Sequence, residues 1–182
     1  MAETLENFLR EKKRKDDQLK QAVDWETRKT WWLGKINHLY NDVKEWLAPL
    51  VPEDLYIEED TIEVYEERLG SYEAPQLKIN LHTEVVKLIP IGTIIIGGLG
   101  RVDLIGDEGS VMIILEQKGH RPQIRVYMGE EGILKSKKQP KPPNYNQMDT
   151  EWILPTEKGR PRKYRVLTRE VFYNALMKVI SK

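Results

Sequence analysis

The sequence predicts an α+β fold in which a mainly antiparallel, twisted β-sheet of five to six strands packs against a long N-terminal helix and a C-terminal helix. Three observations lead to this prediction. Apolar residues recur every three or four positions up to Leu50, alternate with polar ones from Leu55 to Met128, and return to the helical spacing after Thr168. The 182 residues suit one domain of this kind.

The first helix of this domain is predicted from an apolar stripe that begins at Trp32 and continues to Leu50. Trp31 and Trp32 point about 100° apart around the helix, so one of them is expected to lie outside the core. The residues before this helix, 1–23, are dense in charge and have little to bury. We therefore predict a frayed or partner-dependent arm, followed by a single domain over residues 24–182.

The strands are predicted from a period of two and from the glycines that separate the apolar runs. The segments with a strand pattern are Thr61–Glu67, Gln76–His82, Val85–Ile89, Thr93–Ile96, Arg101–Ile105, Val111–Glu116, Gln123–Met128 and a short Glu151–Leu154, and from them we predict a sheet of five to six strands. Proline and lysine runs predict exposed basic loops at 133–149 and 157–165. Thr168 is a good N-cap for the last helix, with Leu167 and Phe172 at the positions of a hydrophobic staple.

Several classes of site are excluded by composition and motif. The chain has no cysteine, which excludes a disulfide framework, a zinc-thiolate site and a cysteine nucleophile, and fits a reducing compartment. Phosphate-binding, nucleophile-elbow and zinc-protease motifs are absent, and the three histidines lack metal-site spacing. Since no apolar run is long enough to span a bilayer, we expect a cytoplasmic protein without a membrane partner.

One group of charged residues could form a site for a divalent metal ion. If Gly106 pairs with Val111 across the predicted hairpin, Asp103 and Glu116 become diagonal neighbours that could hold one divalent ion. The charged side chains of the hairpin then share one face: Arg101, Asp103, Glu116 and Lys118. The apolar ones share the other face, which must be core: Val102, Leu104, Val111, Ile113 and Leu115.

An Asp followed a dozen residues later by Glu-x-Lys resembles the PD-(D/E)xK nuclease superfamily, over Gly100–Lys118. The resemblance implies that Asp103 and Glu116 bind Mg²⁺ or Mn²⁺ and that Lys118 positions or activates the attacking water. The superfamily usually places a helix after the Glu-x-Lys strand, whereas here His120-Arg-Pro leads to another predicted strand. The structural alternative is a pair of cross-strand ion pairs, Arg101–Glu116 and Asp103–Lys118.

The second candidate site is basic. Residues 49–75 contain nine acids and one base, whereas residues 135–182 contain twelve bases and four acids. The bases predicted to bind a partner are Lys137, Lys138, Lys141, Arg160, Arg162, Lys163 and Arg165, interleaved with Tyr145, Trp152 and Tyr164. Such loops suit nucleic-acid contact and base stacking, and equally suit docking onto an acidic protein or onto residues 53–67 of a second copy.

These observations favour a non-enzymatic interaction or accessory module of a larger intracellular complex, which docks on a protein partner through charged loops and needs no cofactor. The first alternative is a nuclease that uses Asp103, Glu116 and Lys118 with Mg²⁺ or Mn²⁺. The second alternative is an accessory subunit that binds nucleic acid without chemistry of its own. The sequence leaves the oligomeric state open.

Overall fold

A computed structural model describes residues 5–22, 25–93, 95, 98–119, 144–155 and 163–181. The helices are α1 (Leu5–Ala22), α2 (Trp25–Leu47) and α3 (Arg169–Val179), with short 3₁₀ turns at Ala48–Leu50 and Tyr145–Gln147. Thr168 caps α3 as predicted, because its hydroxyl oxygen accepts a hydrogen bond from the Val171 amide at 3.3 Å.

One antiparallel sheet contains the strands in sequence order from β1 to β7. Their bounds are β1 Leu55–Glu66, β2 Gly70–Leu81, β3 Val85–Gly92, β4 Gly100–Gly106, β5 Gly109–Gln117, β6 Thr150–Pro155 and β7 Tyr164–Val166. The predicted α+β class and antiparallel sheet are confirmed. The predicted count of five to six strands is too low, since the described residues form seven and β7 is too short for a period of two to show. The predicted strand Gln123–Met128 lies outside the described residues.

Helices α2 and α3 cover one face of the sheet and form the core with it. Trp32 is fully buried at the centre, and its ring lies 6.0 Å from that of Trp152 on β6. A Cβ at Gly100 on β4 would fall on the Trp32 ring, so this close approach requires glycine. Leu104, Ile113 and Leu115 are buried, as the alternation of the hairpin predicts.

The other tryptophans of α2 lie at the rim of the core. The half-buried Trp31 contacts Tyr145, with 5.1 Å between ring centroids. Because Tyr145 is itself buried against α2, the predicted exposed loop 133–149 is wrong at this point. The predicted loop 157–165 is wrong at its end, where Tyr164 and Arg165 pair with β6 in strand β7.

The hairpin of β1 and β2 curls toward the core at its far end. Leu77 and Ile79 are buried near β3, whereas Tyr72 and Ala74, on the opposite parity, are buried farther out. The turn end is fixed by the carboxylate of Glu66. It accepts hydrogen bonds from the Tyr72 hydroxyl at 2.6 Å, the Thr93 amide at 2.8 Å and the Thr93 hydroxyl at 3.0 Å.

Candidate functional site

The hairpin of β4 and β5 has a tighter turn than the sequence suggested. Gly106 pairs with Gly109, which leaves a two-residue loop of Asp107 and Glu108. Gly109 has φ +137°, a conformation that side chains rarely adopt, and so it permits the tight closure. The predicted pairing of Gly106 with Val111 is therefore wrong by two residues. A shift of two preserves the faces of a strand, which explains why the predicted core face is still correct.

The new register separates the residues of the nuclease hypothesis. Asp103 lies opposite Met112, and Glu116 is four residues farther along β5, or about 13 Å. Lys118 contacts Asp149, with 3.4 Å between Nζ and Oδ2, where the sequence suggested a cross-strand pair with Asp103. Among the described residues no group of three or more histidines and acids could hold a metal ion. The nuclease resemblance stays a prediction that rests on the sequence.

Asp103 pairs with Arg101, its neighbour on the same face of β4. Arg101 Nε donates to Oδ1 at 2.6 Å and Nη2 donates to Oδ2 at 2.7 Å. The Asp103 side chain is only 10% exposed and that of Arg101 33% exposed. The hydrogen-bonded carboxylate raises the pKa of Arg101 above its ordinary value. This two-point contact fixes the plane of the guanidinium, which remains accessible from one side.

The sheet opens beside this pair. The ladder of β5 and β6 ends at the pair Ile114 and Ile153. A continued ladder would pair Met112 with Pro155, but proline has no amide N–H to donate, and both residues instead line a cavity of about 590 Å³. The cavity lies where β6 and β7 diverge from β5, next to α3.

We call this cavity the basic cleft. Its described lining contains three bases and no acid: Arg101, Arg165 and Lys178, with the Asn174 amide beside them. Its apolar part includes Val111, Leu154, Val171 and Ala175. A second depression of about 940 Å³ shares Arg165, Asn174 and Lys178 and continues along α3 to Glu108 and Met177. The two depressions adjoin at these three shared residues.

Only part of the predicted basic surface contributes to the cleft. Arg165 lines it, and Lys163 is exposed just before β7. Lys137, Lys138, Lys141, Arg160 and Arg162 lie outside the described residues. The predicted basic surface did not include Arg101, which was assigned to the charged face of the hairpin, or Lys178, although the charge excess of residues 135–182 already counted Lys178.

Two of the three aromatic residues that were expected to stack on bases pack against tryptophans of α2. Tyr145 is buried against Trp31, and Trp152 packs on Trp32. Only Tyr164, half-buried on β7, stands beside the basic residues. The described part of this surface therefore offers charge and apolar contact rather than a stacking platform.

None of the described helices has an apolar stretch long enough to cross a membrane. Comparison of the chain with protein-family models, with curated proteins and with solved structures finds no match.

Proposed function

We propose that this protein is a non-enzymatic interaction module that binds an acidic segment of a protein partner in the basic cleft. The observation that carries the proposal is the cavity where β5 and β6 separate, with Arg101, Arg165 and Lys178 among its described lining residues and no acid there. A concave site whose described charges have one sign attracts and orients a ligand of the opposite sign.

The chemistry of the cleft favours a peptide over a nucleic-acid strand. More than half of the described lining is apolar, which suits side chains such as Leu or Phe placed next to carboxylates. Nucleic-acid strands are usually held by phosphate contacts together with exposed aromatic rings. Here Tyr145 is buried against Trp31, and the half-buried Trp152 packs against Trp32 of the core.

Arg101 supports the proposal because its guanidinium is held in place before a ligand arrives. Asp103 occupies one edge of the group through two hydrogen bonds, and the remaining N–H groups can reach a carboxylate. An arginine fixed in this way loses less conformational entropy on binding than a mobile one. Arg165 and Lys178 then supply positive charge from β7 and α3.

The test is a binding measurement with synthetic peptides in which Asp and Glu alternate with Leu and Phe. Fluorescence polarisation should detect binding to the wild-type protein and weak or no binding of the same peptides with Asn and Gln as replacements. Arg165→Glu and Lys178→Glu should each weaken binding by roughly tenfold or more, since a like charge then faces the ligand. Because both side chains lie at the surface, the melting temperature should stay nearly unchanged.

Lys118→Glu is the matched control, because it makes the same change of charge just after β5, outside the cleft. It should leave peptide affinity unaltered. Equal affinity in the cleft variants and the control would contradict the proposal. Binding of a single-stranded RNA or DNA oligonucleotide but of no peptide, with affinity that falls linearly in a log–log plot against salt, would favour the nucleic-acid alternative.

A further inference from the structure

Strand β5 has an edge inside the basic cleft that no described strand pairs with. Its ladder with β6 ends at the pair Ile114 and Ile153. Residues Gly109–Ile113 therefore pair with β4 on one side and with no described strand on the other. Ser110 and Met112 lie in this stretch, and both line the cavity of about 590 Å³. The cleft thus contains strand backbone as well as charged and apolar side chains.

The hydrogen bonds at the far end of β5 show which of its backbone groups face the cleft. In an antiparallel ladder, the N–H and C=O groups of successive residues point to opposite sides of the strand. The Leu115 carbonyl accepts a hydrogen bond from the Leu99 amide at 2.7 Å, on the side of β4. The Lys118 amide donates to the Asp149 carbonyl at 3.0 Å, on the side of β6. Even-numbered residues of β5 therefore direct both groups toward β6, and the two that line the cleft direct theirs into it.

Basic side chains stand on both sides of this edge. Arg165 lies on the side of the helices, because it pairs with Leu154 of the core, and Lys178 joins it there from α3. Arg101 lies on the opposite side, on the face of β4 that it shares with Asp103. Successive side chains of an added strand would point alternately to these two sides. An extended acidic segment can therefore present carboxylates to a base on either side.

We propose that the acidic segment binds in the basic cleft as an added β-strand, which pairs with β5 through the backbone of Ser110 and Met112. The inference rests on the proposed function and specifies the conformation of the partner, which is extended rather than helical. A helix satisfies its own backbone groups and would leave those of β5 unpaired. An extended chain offers donors and acceptors that repeat every two residues, about 7 Å, which is the spacing of the groups on β5.

Backbone N-methylation of a peptide tests strand pairing. The probe is a synthetic peptide in which Asp and Glu alternate with Leu and Phe, so that the N–H groups of all its acidic residues point to one side of an extended chain. One series is N-methylated at the acidic residues and a second at the apolar residues, with charge and sequence unchanged. The series whose methyl groups face β5 should bind roughly tenfold or more weakly than the other. Equal affinity in the two series would overturn the inference.

Hydrogen exchange of the protein's own amides gives a second readout. When the full chain is saturated with the unmethylated peptide, NMR should show the Ser110 and Met112 amides exchanging roughly tenfold or more slowly. The amides of Val111 and Ile113 are the internal control, because they already face β4 and should be slowed less. Unchanged exchange at Ser110 and Met112, with binding that Arg165→Glu abolishes, would overturn the strand inference and leave the proposed function intact. If no acidic peptide binds, the proposed function fails and this inference fails with it.

Discussion

The two ends of the sheet differ in how far their strands pair and in the sign of their charge. At one end, β1 and β2 keep an unbroken register of twelve residue pairs, from Leu55 with Leu81 to Glu66 with Gly70. At the other end, β6 and β7 share three pairs, and β6 separates from β5 after Ile153. The first end is acidic and closed, whereas the second is basic and open.

Three of the acids at the acidic end have partners inside the chain. Asp60 contacts Lys78 with 2.7 Å between Oδ2 and Nζ, Glu59 pairs with Lys44, and the Glu66 carboxylate is buried at the hairpin turn. At the basic end Arg101 is paired as well, with Asp103, but there the backbone leaves a cavity that Arg165 and Lys178 line. A run of like charges in a sequence therefore does not define a site. A candidate site arises where the backbone ladder stops and leaves a concave surface.

The largest effect is expected at the centre that both ends share. Trp32→Ala should lower the free energy of unfolding by roughly 3–5 kcal/mol, because it removes a fully buried ring between α2 and the sheet. Chemical denaturation measured at both ends, by tryptophan fluorescence and by hydrogen exchange, should show one shared transition. Separate transitions for the two ends would show that they do not share a common core.

Gly100→Ala provides the matched control for this contact. A Cβ at Gly100 would overlap the Trp32 ring, so this variant should also be destabilised in the wild-type background. In the Trp32→Ala background the added methyl group has room, and its cost should largely disappear. If the cost were equal in both backgrounds, the contact between β4 and α2 would not be the cause.

The sequence predicts the closed parts of the molecule better than the open part. The spacing of Trp32, Leu39 and Val43 is enough to identify α2, and alternation is enough to assign the two faces of β4 and β5. The register of their hairpin could not be predicted, since shifts of two residues preserve the burial pattern and only the turn conformation at Gly109 decides between them. The basic cleft depends on where the ladder of β5 and β6 ends and on how α3 packs beside the sheet. Neither feature produces a periodic pattern of apolar residues in the sequence.

The next effect is expected at the turn of the acidic end. Glu66→Ala should cost roughly 1–3 kcal/mol, because the Thr93 amide, the Thr93 hydroxyl and the Tyr72 hydroxyl lose a buried acceptor. Glu66→Gln keeps one acceptor oxygen, so its loss of stability should lie between zero and that of Glu66→Ala. The exposed Glu63, on the same strand, is the control, and Glu63→Ala should be nearly silent in denaturant melts. If Glu66→Ala lowered the free energy of unfolding no more than this control, the hairpin would be held by its apolar contacts alone.

The smallest effect is expected from the exposed pair of Asp60 and Lys78. The hydrogen bond from Lys78, together with one from the Thr61 amide, holds the pKa of Asp60 below its ordinary value. A lowered pKa in the folded state stabilises the fold above the unfolded-state pKa, and this contribution is lost as the pH falls through the folded-state pKa. Solvent screens an exposed pair, so Asp60→Asn should hardly change the melting temperature at pH 7. Any difference in melting temperature from wild type should begin to shrink below about pH 4, where the carboxylate of the unfolded chain starts to protonate, and should vanish below the lowered folded-state pKa. A difference that grew on acidification, measured by thermal melts across the pH range, would contradict this assignment and indicate that Asp60 is strained rather than stabilised by its partners.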